Sequence, residues 1–109
     1  MANTFKLKTK ANVGVSTVRI YAAPASTTTV VIGITLANTS GSGVNVGVGI
    51  TRAGTTEDVK LLKNAPIPSG SSLEFMAGNK VVLEETDTVV VDSDTNNSVD
   101  ASLTIMEIT

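Results

Sequence analysis

The side chains best spaced for chemistry lie in one stretch, Asp92-Ser93-Asp94-Thr95-Asn96-Asn97-Ser98-Val99-Asp100. Oxygen-bearing groups at alternate positions open it like a calcium loop, since a hard divalent cation takes carboxylate and carbonyl oxygens. The pattern then breaks. Asn97 stands where the sharp turn of such a loop wants Gly, and Leu103 stands where a bidentate Glu should close it. An Asx-rich hairpin turn without a high-affinity ion is the expectation. Glu84, Glu85 and Asp87 form a second acidic cluster near a strand end. Paired carboxylates can share acid–base duty as in glycosidases, but sugar clefts are lined with aromatic platforms, and Phe5, Tyr21 and Phe75 are the chain's only aromatics. That cluster is expected to be a solvated turn.

The 109 residues contain no His, no Cys and no Trp. The usual acid–base residue at neutral pH, the thiol nucleophile and most zinc ligands are therefore missing, and no conventional Ser-His-Asp triad can form. Gly41-Ser42-Gly43 is no phosphate cradle, because no Gly-Lys-Ser/Thr follows and no helix begins there. The residues thus predict a protein that is not an enzyme, with no catalytic residue, no cofactor and no metal ligand.

Lys6, Lys8 and Lys10 alternate along the first segment. Three cations without interleaved aromatics, on a chain of net charge −2, are a weak basis for nucleic-acid contact. Contact with an acidic protein surface is the preferred reading, with Phe5, Lys6, Lys8 and Lys10 as the candidate partner-binding residues. Charge is segregated along the chain. Residues 1–52 carry five cations and no acid, and residues 53–109 carry three Lys and all ten acids. Either this marks an electrostatically steered partner surface, or the two halves interleave in one sandwich and the charges mix in space.

The elements that must position these groups read as strands. Residues 1–15 are expected as an extended N-terminal arm and residues 16–109 as the β-sandwich domain. Val18, Ile20 and Ala22 alternate with polar neighbours up to Pro24. Val30, Ile32, Ile34 and Leu36 are expected on one face of the next strand. Val44, Val46, Val48 and Ile50 follow, with Gly47 and Gly49 opposite, where either a bulge or a neighbour's backbone comes close. Val59–Leu62 reads as a short strand, and Pro66 and Pro68 as a stiff crossover. Ala77-Gly78-Asn79 reads as the turn of a hairpin, Thr88–Asp92 as a strand, and Val99, Ala101, Leu103 and Ile105 as the inward face of the last one. No stretch has helical periodicity with caps. The prediction is an all-β fold, a single β-sandwich or jelly roll of about eight antiparallel strands, with a core of Val, Ile, Leu and Ala. At 41% hydrophobic and 17% charged residues, one ordered domain is expected. The opening residues lack the apolar region of a secretion signal and no run reaches membrane-spanning length, so no membrane partner and synthesis in a cytoplasm are expected.

Several segments together resemble small virion structural proteins of tailed bacteriophages, cyanophages above all. They are Met1-Ala2-Asn3-Thr4-Phe5-Lys6, Val30 through Thr39, Leu62-Lys63-Asn64-Ala65-Pro66-Ile67-Pro68-Ser69-Gly70-Ser71-Ser72-Leu73-Glu74, and Val99 through Thr109. At Leu83-Glu84-Glu85-Thr86-Asp87 the chain departs, since such proteins often have Gly just before that Asp. The resemblance implies a β-sandwich building block of the virion, assembled in the host cytoplasm and present in many copies. Its first implied role is a capsid decoration (cement) protein that binds the major capsid protein lattice, or other virion proteins, as a homo-oligomer. A neck or tail component (collar, adaptor, terminator or fibre-associated ring) is the alternative, and a host-surface binding module comes third.

Overall fold

The computed structural model describes residues 2–52, 58–75 and 80–109, with the backbone alone at Phe75. Among them are nine strands and no helix: β1 Asn3–Val13, β2 Val18–Ala22, β3 Thr28–Asn38, β4 Val44–Thr51, β5 Asp58–Ile67, β6 Ser72–Phe75, β7 Val81–Leu83, β8 Thr88–Ser93 and β9 Val99–Ile108. One sheet, sheet A, runs β1-β9-β3 with β6 and β7 both on the outer side of β3, and the other, sheet B, runs β2-β8-β4-β5. Every pairing is antiparallel. The pairs β1–β9, β2–β8, β3–β7 and β4–β5 nest one inside the next, so the chain is a long ribbon doubled on itself and rolled into two sheets. That is a jelly roll, of the two alternatives read from the periodicity.

Among the described residues eighteen apolar side chains are buried between the sheets, and Tyr21 is the one aromatic among them. Sheet A contributes Val31, Ile34, Leu36, Leu83, Leu103 and Ile105, and sheet B contributes Val44, Val46, Val48, Ile50, Val89 and Val91. The basic and acidic halves of the sequence interleave in both sheets. Ion pairs join them at Lys6–Glu107 and at Arg52 with Glu84 and Asp87, so the charges mix in space.

Four local expectations need correction. In β3 the register shifts between Val31 and Gly33, so Thr29 and Val31 point inward, then Ile34, Leu36 and Asn38. A bulge inserts Ile32 and flips the face, which strict alternation cannot anticipate. The Pro66 segment belongs to β5, opposite Asn45; it lies at the edge of sheet B, where a residue with no N–H is tolerated. The turn at 77–79 falls outside the described residues. Its flanking strands β6 and β7 both pair antiparallel with β3, end to end, and so do not form a hairpin with each other. Residues 94–98 likewise join β8 of one sheet to β9 of the other, a corner between sheets.

The glycines of β4 have a local cause. β5 shifts register against Val46, Val48 and Gly49 and crowds that stretch. A Cβ on Gly49 would stand 3.0 Å from the Val59 carbonyl oxygen, and one on Gly47 would stand 2.6 Å from Asp92 Oδ1. At Gly49 the close approach comes from a bulge within the domain, one of the two alternatives, whereas at Gly47 it is the Asp92 side chain of the regularly paired β8.

Candidate interaction surface

Asn3–Val13, expected as an arm, is the edge strand of sheet A, in register with β9 from Asn3 opposite Ile108 to Lys10 opposite Ala101. Residues directly opposite in an antiparallel pair share a face. Lys6 lies across from buried Ile105, Lys8 from buried Leu103 and Lys10 from buried Ala101. The three lysines therefore stand on the inner side of the edge, at the rim of the core. Phe5 and Leu7 stand on the outer side, 68% and 65% exposed.

Beneath the lysines sits a polar cluster. Glu107 is 6% exposed and accepts from Lys6 Nζ at 2.8 Å and from the Tyr21 hydroxyl at 2.6 Å. The Tyr21 proton is committed to that carboxylate, so the Thr29 hydroxyl, 2.8 Å away, donates to the Tyr21 oxygen. Lys8 Nζ lies 6.0 Å from the Tyr21 ring centroid, at the outer limit of a cation–π contact. The Lys6 hydrogen bond, then the Tyr21 hydrogen bond, hold the Glu107 carboxyl below its usual range against the opposing effect of burial. Burial first, and the Glu107 hydrogen bond second, push Tyr21 up to about 12. Lys6 is thus engaged within its own chain.

The outer face of sheet A is unlike any segment that the periodicity singled out. One cross-strand row reads Phe5, Met106, Val30, Val82 over four strands. Leu7 adjoins the row on β1, and Val82 is 59% exposed. Towards the other end the outward residues become small: Thr9, Ser102, Thr35, Ala37 and Ser72. Thr9, Ala11, Thr35, Ala37 and Ser102 line an open trough of about 320 Å3 there, beside Lys10, Asp100 and Ala101. Of the outward residues in the paired registers of sheet A, Glu74 and Asp100 alone are charged. Sheet B differs, since Arg19 and Lys60 stand outward opposite Val90 and Gly49. The apolar row was missed because it exists only once register is known. The signal available was the pair of strands apolar on both faces, Val30-Val31-Ile32 and Ile105-Met106 with Ile108.

The acidic candidates serve the fold. Asp92 accepts from the Thr17 hydroxyl, Asp94 from the Asn45 N–H and Asp100 from the Asn12 N–H. Three carboxylates thus answer three separate segments, and the described residues hold no metal-binding cluster of His, Cys, Asp or Glu. At the other corner Glu84 and Glu85 are exposed, but Asp87 is buried and accepts from the Glu84 N–H at 3.0 Å and from Arg52 Nε at 3.2 Å. Glu85 accepts from the Ser26 N–H. The expected solvated turn is a built corner around Asp87.

No family model and no curated protein matches the chain. The nested strand order and the sandwiched core define a jelly-roll module, and similar solved structures share that fold at low identity. A chain from the capsid of Helicobacter pylori bacteriophage KHP30 superposes with a TM-score of 0.59 at 13% identity, covering 100% of this chain and 89% of that one. A chain from the disulfide-linked pili of Bacillus endospore appendages gives 0.57 at 17%, covering 99% and 87%. A chain of the T13 IBDV viral particle gives 0.60 at 14%, covering 96% of this chain but 30% of its own length.

Proposed function

We propose that the chain is a virion structural protein, a capsid decoration protein that binds the outside of the major capsid lattice and acts by association alone. The observation that carries this is the whole-length jelly roll, which covers all of this chain and nearly all of a bacteriophage capsid chain. The sequence resemblance to phage virion proteins points the same way. So does the outer face of sheet A, an assembly-type surface on a module whose buried carboxylates are engaged in structural contacts.

Image reconstruction of whole particles tests the proposal. Density for this fold repeated over the icosahedral shell is the expected result, and purified protein should bind particles prepared without it. Density confined to one vertex would replace decoration with a neck or tail role. Absence from purified particles would end the virion reading altogether.

A further inference from the structure

We propose that the outer face of sheet A is a two-fold self-association surface, on which the apolar end of one copy seats in the small-residue trough of a second. The second copy is favoured as occupant by shape and by the placement of charge, and the area permits it. The face has a raised end, Phe5, Met106 and Val30, and a low end, Thr9, Ser102 and Thr35, about equally far from the Leu7–Thr104–Gly33 row between them. A two-fold axis along that middle row lays each end of one copy on the opposite end of the other. Phe5 then meets Thr9, Met106 meets Ser102, Val30 meets Thr35, and the two Leu7 side chains meet on the axis. An isologous interface needs a patch complementary to itself, and this one is.

Charge points the same way. Two copies of a net-negative chain repel wherever like charges oppose, but Glu74 and Asp100 are the only charges on the paired outward positions, and both lie towards the trough end. The rotation keeps these acids from opposing one another and sets Glu74 beside the partner's Val82 on the outermost strands, where its carboxylate can turn out to water. Sheet B, with Arg19 and Lys60 outward, would not stack on its own copy in this way. Four strands at about 4.8 Å spacing and ten residues at about 3.4 Å give a face of roughly 600 Å2 before side-chain relief is counted. Standard interfaces cover about 800 Å2 per partner and the smallest about 600 Å2, so this face suits a weak, reversible dimer and only at full overlap, which the axis through the middle row supplies.

This inference stands apart from the virion reading, and either can fail alone. Sedimentation of the purified full chain from 1 to 200 µM tests it. The expected result is a reversible dimer, weakened at least tenfold by Leu7→Lys and by Thr35→Lys. Leu7 and Thr35 point away from the core, so circular dichroism should show both variants folded. Arg19→Ala and Lys60→Ala on sheet B should leave the dimer unchanged. Mixing Leu7→Lys with Leu7→Glu should restore association as a heterodimer, because the two side chains oppose each other on the axis, and this would also certify that both variants fold. A wild-type chain monomeric throughout the range would overturn the proposal and leave the face to a different partner. A dimer untouched by Leu7→Lys, or two Leu7 variants that fail to recombine, would refute the axis.

Discussion

Replacing Glu107 by Ala is the sharpest test of how the β1 edge is held. The change removes a buried acceptor from the Tyr21 hydroxyl at 2.6 Å and from Lys6 Nζ at 2.8 Å. A hydrogen bond to a charged group contributes about 1.5–3 kcal/mol. The Lys6 pair adds at most about 1 kcal/mol, because its ammonium-bearing side chain is 42% exposed and screened. Loss of one buried methylene adds about 0.8 kcal/mol. Against this, Tyr21 can turn its proton to Thr29, and the cost of burying a carboxylate disappears. The net expectation is a loss of about 1–3 kcal/mol, which at about 2.1 cal/mol/K per residue lowers Tm by roughly 4–13 °C.

Thermal melts followed by circular dichroism at pH 7 and again at pH 3 would measure both the loss and its origin. The Glu107 carboxyl is held below its unfolded value by Lys6 and Tyr21. Its contribution is therefore complete above about pH 4.3 and fades as pH falls through the folded-state value. The gap between wild type and variant should be full at pH 7 and narrower at pH 3. A cycle with Tyr21→Phe should show coupling of about 1–2 kcal/mol. A loss below about 0.5 kcal/mol, the scale of an ordinary surface change, would refute the reasoning, as would a gap that does not shrink in acid.

Tyr21 is the chain's only tyrosine and there is no tryptophan, so absorbance near 295 nm reports it alone. Its folded value is raised to about 12, so its contribution is present below about pH 10 and is lost as pH climbs through 12; a folded-state midpoint near 10 would contradict the burial and hydrogen bonding described. Thr86 holds φ at +66°, a conformation costly for a β-branched residue, and Thr86→Gly should stabilise by about 0.5–1 kcal/mol in urea melts. Gly49→Ala should destabilise by about 1–3 kcal/mol, because its Cβ meets the Val59 carbonyl at 3.0 Å, while Gly33→Ala, with open space around it, should stay within about 0.5 kcal/mol.

Fold class was legible because alternation survives in the strands that form the core. Val44, Val46, Val48 and Ile50, and Val99, Ala101, Leu103 and Ile105, are buried as their spacing requires. What spacing could not supply was phase and pairing. A single inserted residue at Ile32 reverses the face of half of β3, and alternation is identical whether a strand pairs with its sequence neighbour or crosses to the other sheet. That is why Asp92–Asp100 read as a hairpin, and why Leu73 and Val82 read as opposite arms of another. The departure at Thr86 was visible in the sequence, and its positive φ shows what a Gly there would relieve.

The lysines of β1 carry the largest change of meaning. Read as a basic arm, Lys6, Lys8 and Lys10 wait for an acidic partner. Placed by register, they point inward along the free edge of β1, one of them held by Glu107. A strand added beyond β1 would have to set its own inward side chains beside three ammonium groups, which disfavours apolar partners there. Inward charges are a recognised way for an edge strand to resist pairing with other chains. The same alternation that turns the lysines in turns Phe5 and Leu7 out, onto the apolar end of the outer face of sheet A. One two-residue period thus sets charge along the edge of the sheet and apolar side chains on its face.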